Sequence, residues 1–129
     1  MPLLAPISVG ELLDKLSILE LKKAAIADPA RRGNVCRERT ALEAVRRGAV
    51  ASSSALDALY TELKAVNRQL WETEDALREH EGRGQFDAGF VALARSVYRD
   101  NDRRALIKRQ INELTGSEII EEKSYRSPI

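Results

Sequence analysis

Three polar side chains recur along one face of the last long helical stretch of the sequence. Asn101, Arg104 and Lys108 stand at i, i+3 and i+7. At ~100° per residue they share a side with Phe86, Phe90, Leu93, Val97 and Ile111, where a core-facing helix ordinarily carries only apolar residues. An earlier stretch repeats the anomaly. Asn67 and Glu74 fall on the stripe formed by Leu56, Leu59, Leu63, Leu70 and Leu77. Polar groups on such a stripe need partners, because burying them unpaired is costly. Two chemistries would supply those partners. In a bundle, buried Asn fixes register, ion pairs set orientation, and Arg and Lys extend their charged ends to solvent. In a pocket, Asn101, Arg104 and Lys108 would hold an anionic, sugar-phosphate-like group, with Glu74 orienting them and Asn67 beside them. Arg suits that task because its planar fork matches carboxylate and phosphate. Asn67, Glu74, Asn101, Arg104 and Lys108 are therefore the candidate ligand-binding residues.

Other reactive types lack companions. Glu72 and Asp75 have the i, i+3 spacing of a helical metal-binding pair, within the acidic run that continues through Glu74, Glu79 and Glu81. A helical metal site would need a second acidic pair on a preceding helix to complete it. His80 has Leu77 three residues before it, so a Glu-x-x-His motif of di-iron bundles is missing. The expectation is no metal and no cofactor. Cys36 has no His or Asp partner placed by the sequence, Ser8 reads as a helix cap, and Gly82 and Gly84 read as hairpin punctuation rather than a phosphate loop. Catalytic residues stay unassigned, and whether the protein is an enzyme stays open.

The elements that must position these residues are helical. Charged residues make up 32% of the chain and aromatics 5%, a balance that favours helices over a β-rich fold. The 129 residues suit one domain. A net charge of +1 argues against nucleic acid and gives no pull toward a membrane surface. The single cysteine fits a reducing compartment, residues 1–10 lack the features of a signal peptide, and no apolar run reaches transmembrane length. A cytoplasmic location is expected.

Ser8 opens the first helix, with Glu11 completing a capping box. Val9, Leu12, Leu13, Leu16, Leu19 and Ile26 give it a broad apolar face that also contains Glu20 and Lys23. Asp28-Pro29 ends it. A short second helix spans about residues 34–47 and is ended by Gly48. Its surplus of arginines is the only nucleic-acid-like feature of the chain. Residues 48–54 read as a connector. The third helix starts at a Ser54–Asp57 cap and runs to about Glu81, Gly82-Arg83-Gly84 breaks it, and the fourth runs from an Asp87 cap to Gly116. So short a connection makes the last two helices antiparallel neighbours. Centring the turn near Gly84 sets Asn67 opposite Asn101, Trp71 near Val97 as interface packing, Glu74 near Ala94 and Arg95, and Tyr60 near Lys108. The tail, residues 116–129, either folds back through Ile119, Ile120 and Tyr125 or serves a partner.

Residues 7–20, which read Ile-Ser-Val-Gly-Glu-Leu-Leu-Asp-Lys-Leu-Ser-Ile-Leu-Glu, resemble the opening of a small, uncharacterised bacterial family of unknown function. Residues 67–75 (Asn-Arg-Gln-Leu-Trp-Glu-Thr-Glu-Asp), 86–112 and 116–125 look like its other blocks. The resemblance implies an association with polysaccharide or glycosyltransferase genes. It implies no reaction and carries no catalytic residues.

The expected architecture is an all-α antiparallel bundle of three to four helices built on one long hairpin. The expected function is a helical interaction or scaffold module, self-associating or bound to a protein partner, with a link to polysaccharide assembly. The alternative is a small all-α enzyme or binder of an anionic small molecule at the polar seam.

Overall fold

A computed structural model describes residues 1–126; the last three residues of the predicted tail, 127–129, lie outside it. The fold is all-α, with α1 Val9–Ala25, α2 Pro29–Ala49, α3 Ser54–Arg83 and α4 Ala88–Thr115. No described helix is long and apolar enough to cross a membrane.

Each helix begins on a side-chain oxygen that accepts a backbone N–H of the first turn. Ser8 accepts from Glu11, Asp28 from Arg31, Ser53 from Leu56 and Asp87 from Phe90. The Phe90 N–H is the main reason the Asp87 carboxyl sits below its ordinary pKa. Gly84 and Gly116 close α3 and α4 in the left-handed region, at φ 63° and 65°, which only glycine adopts without strain.

Two boundaries differ from the sequence reading. Asp28-Pro29 separates α1 from α2, but it also starts α2. Asp28 is the cap and Pro29 occupies the first turn, where its missing N–H has no helical partner to lose. α2 is therefore longer than expected at both ends and runs through Gly33 and Gly48. Ser53, rather than Ser54, caps α3.

α3 and α4 form the expected antiparallel hairpin. α1 packs against both of its helices, from the open end to the level of Trp71: Gly10 meets Asn112 on α4, Glu20 meets Tyr60 on α3, and Leu21 lies beside Trp71. The core fills this junction with Leu12, Leu13 and Leu16 from α1, Leu56, Tyr60, Leu63 and Val66 from α3, and Ile107 and Ile111 from α4. Truncating any of the leucines to Ala would cost about 2–5 kcal/mol. α2 packs on α1, with Val35 and Leu19 buried, and reaches α3 through Arg46, whose guanidinium lies 4.6 Å over the Tyr60 ring.

The core stops well short of the hairpin turn. Thr73 is the last buried residue of α3 and Ile107 the first of α4. Beyond Thr73 on α3 and before Val97 on α4 the two helices project as an arm. Its tip is held by edge-on packing of Phe86 on Phe90, with centroids 5.2 Å apart, and of His80 on Phe90 at 6.1 Å.

Candidate functional site

α1 brings Asp14 and Ser17, one turn apart, against the midpoint of α3. Both are buried, as is Asn67 opposite them. Asn67 Nδ2 donates to Asp14 Oδ1 at 2.7 Å and to Ser17 Oγ at 2.6 Å. With its nitrogen committed to α1, the Asn67 carbonyl faces α4 and accepts from Arg104 Nη1 at 3.2 Å. The second guanidinium nitrogen of Arg104 donates to Asn101 Oδ1 at 2.9 Å. One turn further along α4, Lys108 Nζ donates to Glu11 Oε2 at 2.6 Å and lies 3.6 Å from Asp14 Oδ2. A continuous relay thus runs from Glu11 through Lys108, Asp14, Asn67 and Arg104 to Asn101. No buried side-chain nitrogen or oxygen among the described residues lacks a hydrogen-bond partner.

Four of the five sequence candidates belong to this relay. Asn67 bonds Arg104 rather than Asn101, while Asn101 lines the same hollow as Asn67, as Val97 does with Trp71. Glu74 stays outside the relay. It pairs with Arg78 one turn along its own helix, at 3.0 Å, with 55% of its side chain exposed, and so cannot orient Arg104 or Lys108 from there. Tyr60 also departs from expectation. It donates to Glu20 at 3.2 Å instead of approaching Lys108, and burial together with the Glu20 charge pushes its phenol well above the ordinary pKa. Glu20 further approaches Arg39 and Lys64 at 3.8 and 4.0 Å.

The sequence reading missed Asp14, Ser17 and Gly10, although a signal was present. They follow one another at i, i+4 and i+7 beside Leu13, a small and polar stripe next to the apolar one. A Cβ on Gly10 would lie 2.6 Å from the Lys108 carbonyl oxygen, so α1 and α4 approach this closely only because residue 10 has no side chain. The Gly10 N–H donates to Asn112 Oδ1 at 2.7 Å. The expected capping box forms only in half. Ser8 accepts from the Glu11 N–H, while the Glu11 carboxylate goes to Lys108 and the Ser8 hydroxyl donates to Glu121 of the tail, 2.6 Å away.

Trp71 is half-buried rather than enclosed. It lines a hollow of about 270 Å³ with Ile18, Leu21 and Val97, and Asn67, Glu74, Asn101 and Arg104 line the same hollow. Glu72 and Asp75 are exposed, and no group of three or more His, Cys, Asp or Glu among the described residues is placed to hold a metal ion. Cys36 is a free, half-exposed thiol.

Fold and site together define an all-α helical module in which buried polar side chains tie three helices to one another. The chain belongs to a family of unknown function (DUF6165), whose model matches residues 3–129. No curated protein and no solved structure matches it.

Proposed function

We propose that the protein is a helical interaction module that pairs with a second copy of itself through the projecting arm of α3 and α4. The observation that carries this reading is the state of the arm's apolar residues. Leu77, Phe90 and Leu93 stay half-exposed on the stretch of the hairpin beyond the reach of α1. Phe86 and Val91 are 59% and 51% exposed. A two-helix hairpin buries only one side of each helix, and a four-helix arrangement is the common way to cover the rest.

Charge favours a second copy as the occupant. Between residues 72 and 83, α3 carries Glu72, Glu74, Asp75, Glu79 and Glu81 against Arg78 and Arg83. Between residues 88 and 99, α4 carries Arg95 and Arg99 and no acid. In a two-fold dimer with α3 of each copy over α4 of the other, acid meets base twice.

Sedimentation equilibrium at micromolar concentration tests the reading. A dimer is expected, and Val91→Asp should convert it to a monomer of unchanged helix content. A wild-type chain that stays monomeric at hundreds of micromolar would refute it.

A further inference from the structure

The C-terminal segment returns along α4 as an extended strap. Glu121 accepts from Ser8 and Asn112, Glu122 accepts from Arg109 at 2.9 Å, and Lys123 Nζ lies 3.3 Å from Asp102. Between this strap and the stretch of α4 from Tyr98 to Lys108 lies a cleft of about 700 Å³. α4 contributes Arg104 and Lys108, the strap contributes Lys123 and Arg126, and each wall contributes one tyrosine, Tyr98 and Tyr125. Both rings are largely exposed. The volume lies within the range of small-molecule sites.

The charges are not equally engaged. Lys108 is neutralised by Glu11 and approached by Asp14, and Lys123 has Asp102. Arg104 differs: its guanidinium donates to two neutral amide oxygens and, among the described residues, to no carboxylate. It is also fixed in place, since Asn67 is held by two buried groups of α1. Of its five N–H donors, two are used within the relay, which leaves three for a ligand. A cation already immobilised by the protein loses little further entropy when it binds an anion.

We propose that this cleft binds a nucleotide, with its phosphates on Arg104, Lys123 and Arg126 and its base against Tyr98 and Tyr125. Several cations along one cleft suit a polyanion better than a single carboxylate. An aromatic side chain on each wall offers a stacking surface that inorganic phosphate would not use. Lys123 lies 5.4 Å from the Tyr125 ring centroid, so charge and aromatic face are presented together.

Isothermal titration of the full chain with ADP, and with inorganic pyrophosphate as an anion lacking a base, tests the proposal. ADP should bind more tightly than pyrophosphate. Tyr125→Ala should weaken ADP by roughly tenfold or more and leave pyrophosphate unchanged. Arg104→Met should abolish binding of both. Because Arg104 also supports the fold, Lys123→Ser with Arg126→Ser provides a second variant outside the core, expected to lose at least about tenfold in ADP affinity. Val91→Asp, which removes only the proposed arm contact, should bind ADP as the wild type does. No ADP binding at millimolar concentration would overturn the proposal. So would equal affinity for ADP and pyrophosphate with no effect of Tyr125→Ala, or undiminished ADP affinity in the double variant.

Discussion

The Asn67 amide stands between Asp14 and Arg104, 2.7 Å from one and 3.2 Å from the other, and joins a buried carboxylate on α1 to a guanidinium on α4. Asp14 holds the nitrogen end of this amide, so the negative end of the amide dipole points at the Arg104 guanidinium. The geometry makes the three side chains one unit, which alters what single substitutions should do.

Asn67→Leu removes the donor to a carboxylate that is only 6% exposed. The expected loss is about 2–4 kcal/mol in urea unfolding, because Asp14 is left with Lys108 as its remaining cationic neighbour. Asp14→Leu combined with Asn67→Leu removes both polar groups and should cost clearly less than the two single losses summed. Simple additivity would show that the amide and the carboxylate do not act together.

Gly10→Ala sets two effects of opposite sign against each other. Helix propensity favours Ala by at most about 1 kcal/mol. The new Cβ would lie 2.6 Å from the backbone oxygen of Lys108 and 3.0 Å from Asn112 Oδ1. A backbone carbonyl has no rotamer to change, so α1 must move off α4, at an overpacking cost of about 1–3 kcal/mol. Net destabilisation is expected by thermal melting, and a stabilised variant would disprove the close approach.

What could be read from the sequence was mostly local. Ser8, Asp87, Gly84 and Gly116 act where they were placed, because a cap is decided within four residues of itself. Register across the hairpin followed from the length of its turn: Asn67 and Asn101 line one hollow, as do Trp71 and Val97. Pro29 was ambiguous because the same residue stops one helix and begins another. Asp14 and Ser17 escaped notice for a geometric reason. A helix packed against two others buries more than one stripe, and reading for a single stripe discards the polar residues beside it. The half-exposure of Trp71 has a similar origin: the stripe it belongs to outruns the helix that covers it. The tail contacts join residues more than a hundred positions apart, as in Ser8 with Glu121, and no local pattern announces them.

Glu121 gives the strap a pH dependence. Burial acts to raise its pKa, but the Ser8 hydroxyl, its own backbone N–H, the Asn112 amide and the Lys108 charge together outweigh that and hold it below the ordinary value of 4.5. A carboxyl with a depressed folded-state pKa contributes stability above the unfolded value and loses it as pH falls through the folded one. Because the residue is largely exposed, the contribution is about 1 kcal/mol or less. Wild type should melt above Glu121→Gln at about pH 7, and the gap should close as pH falls below the ordinary value of 4.5 and through the lower folded-state one. A gap independent of pH would assign the effect to packing instead of charge.

The arm permits a test that separates specific pairing from general stickiness. Arg95→Glu with Arg99→Glu makes the α4 side of the arm acidic, like α3. Glu72→Lys, Asp75→Lys and Glu79→Lys together make α3 basic, like α4. All five positions are exposed, so each set should leave the folded chain intact. In a two-fold dimer with α3 over α4 of the other copy, each variant alone opposes like charges twice and should sediment as a monomer. Mixed in equal amounts, the acidic α4 of one meets the basic α3 of the other, and the acidic α3 of the first meets the basic α4 of the second. Both contacts are then attractive, and a heterodimer should form whose affinity falls as salt rises. Homodimers of either variant, or a mixture that remains monomeric while wild type dimerises, would place the contact elsewhere on the molecule.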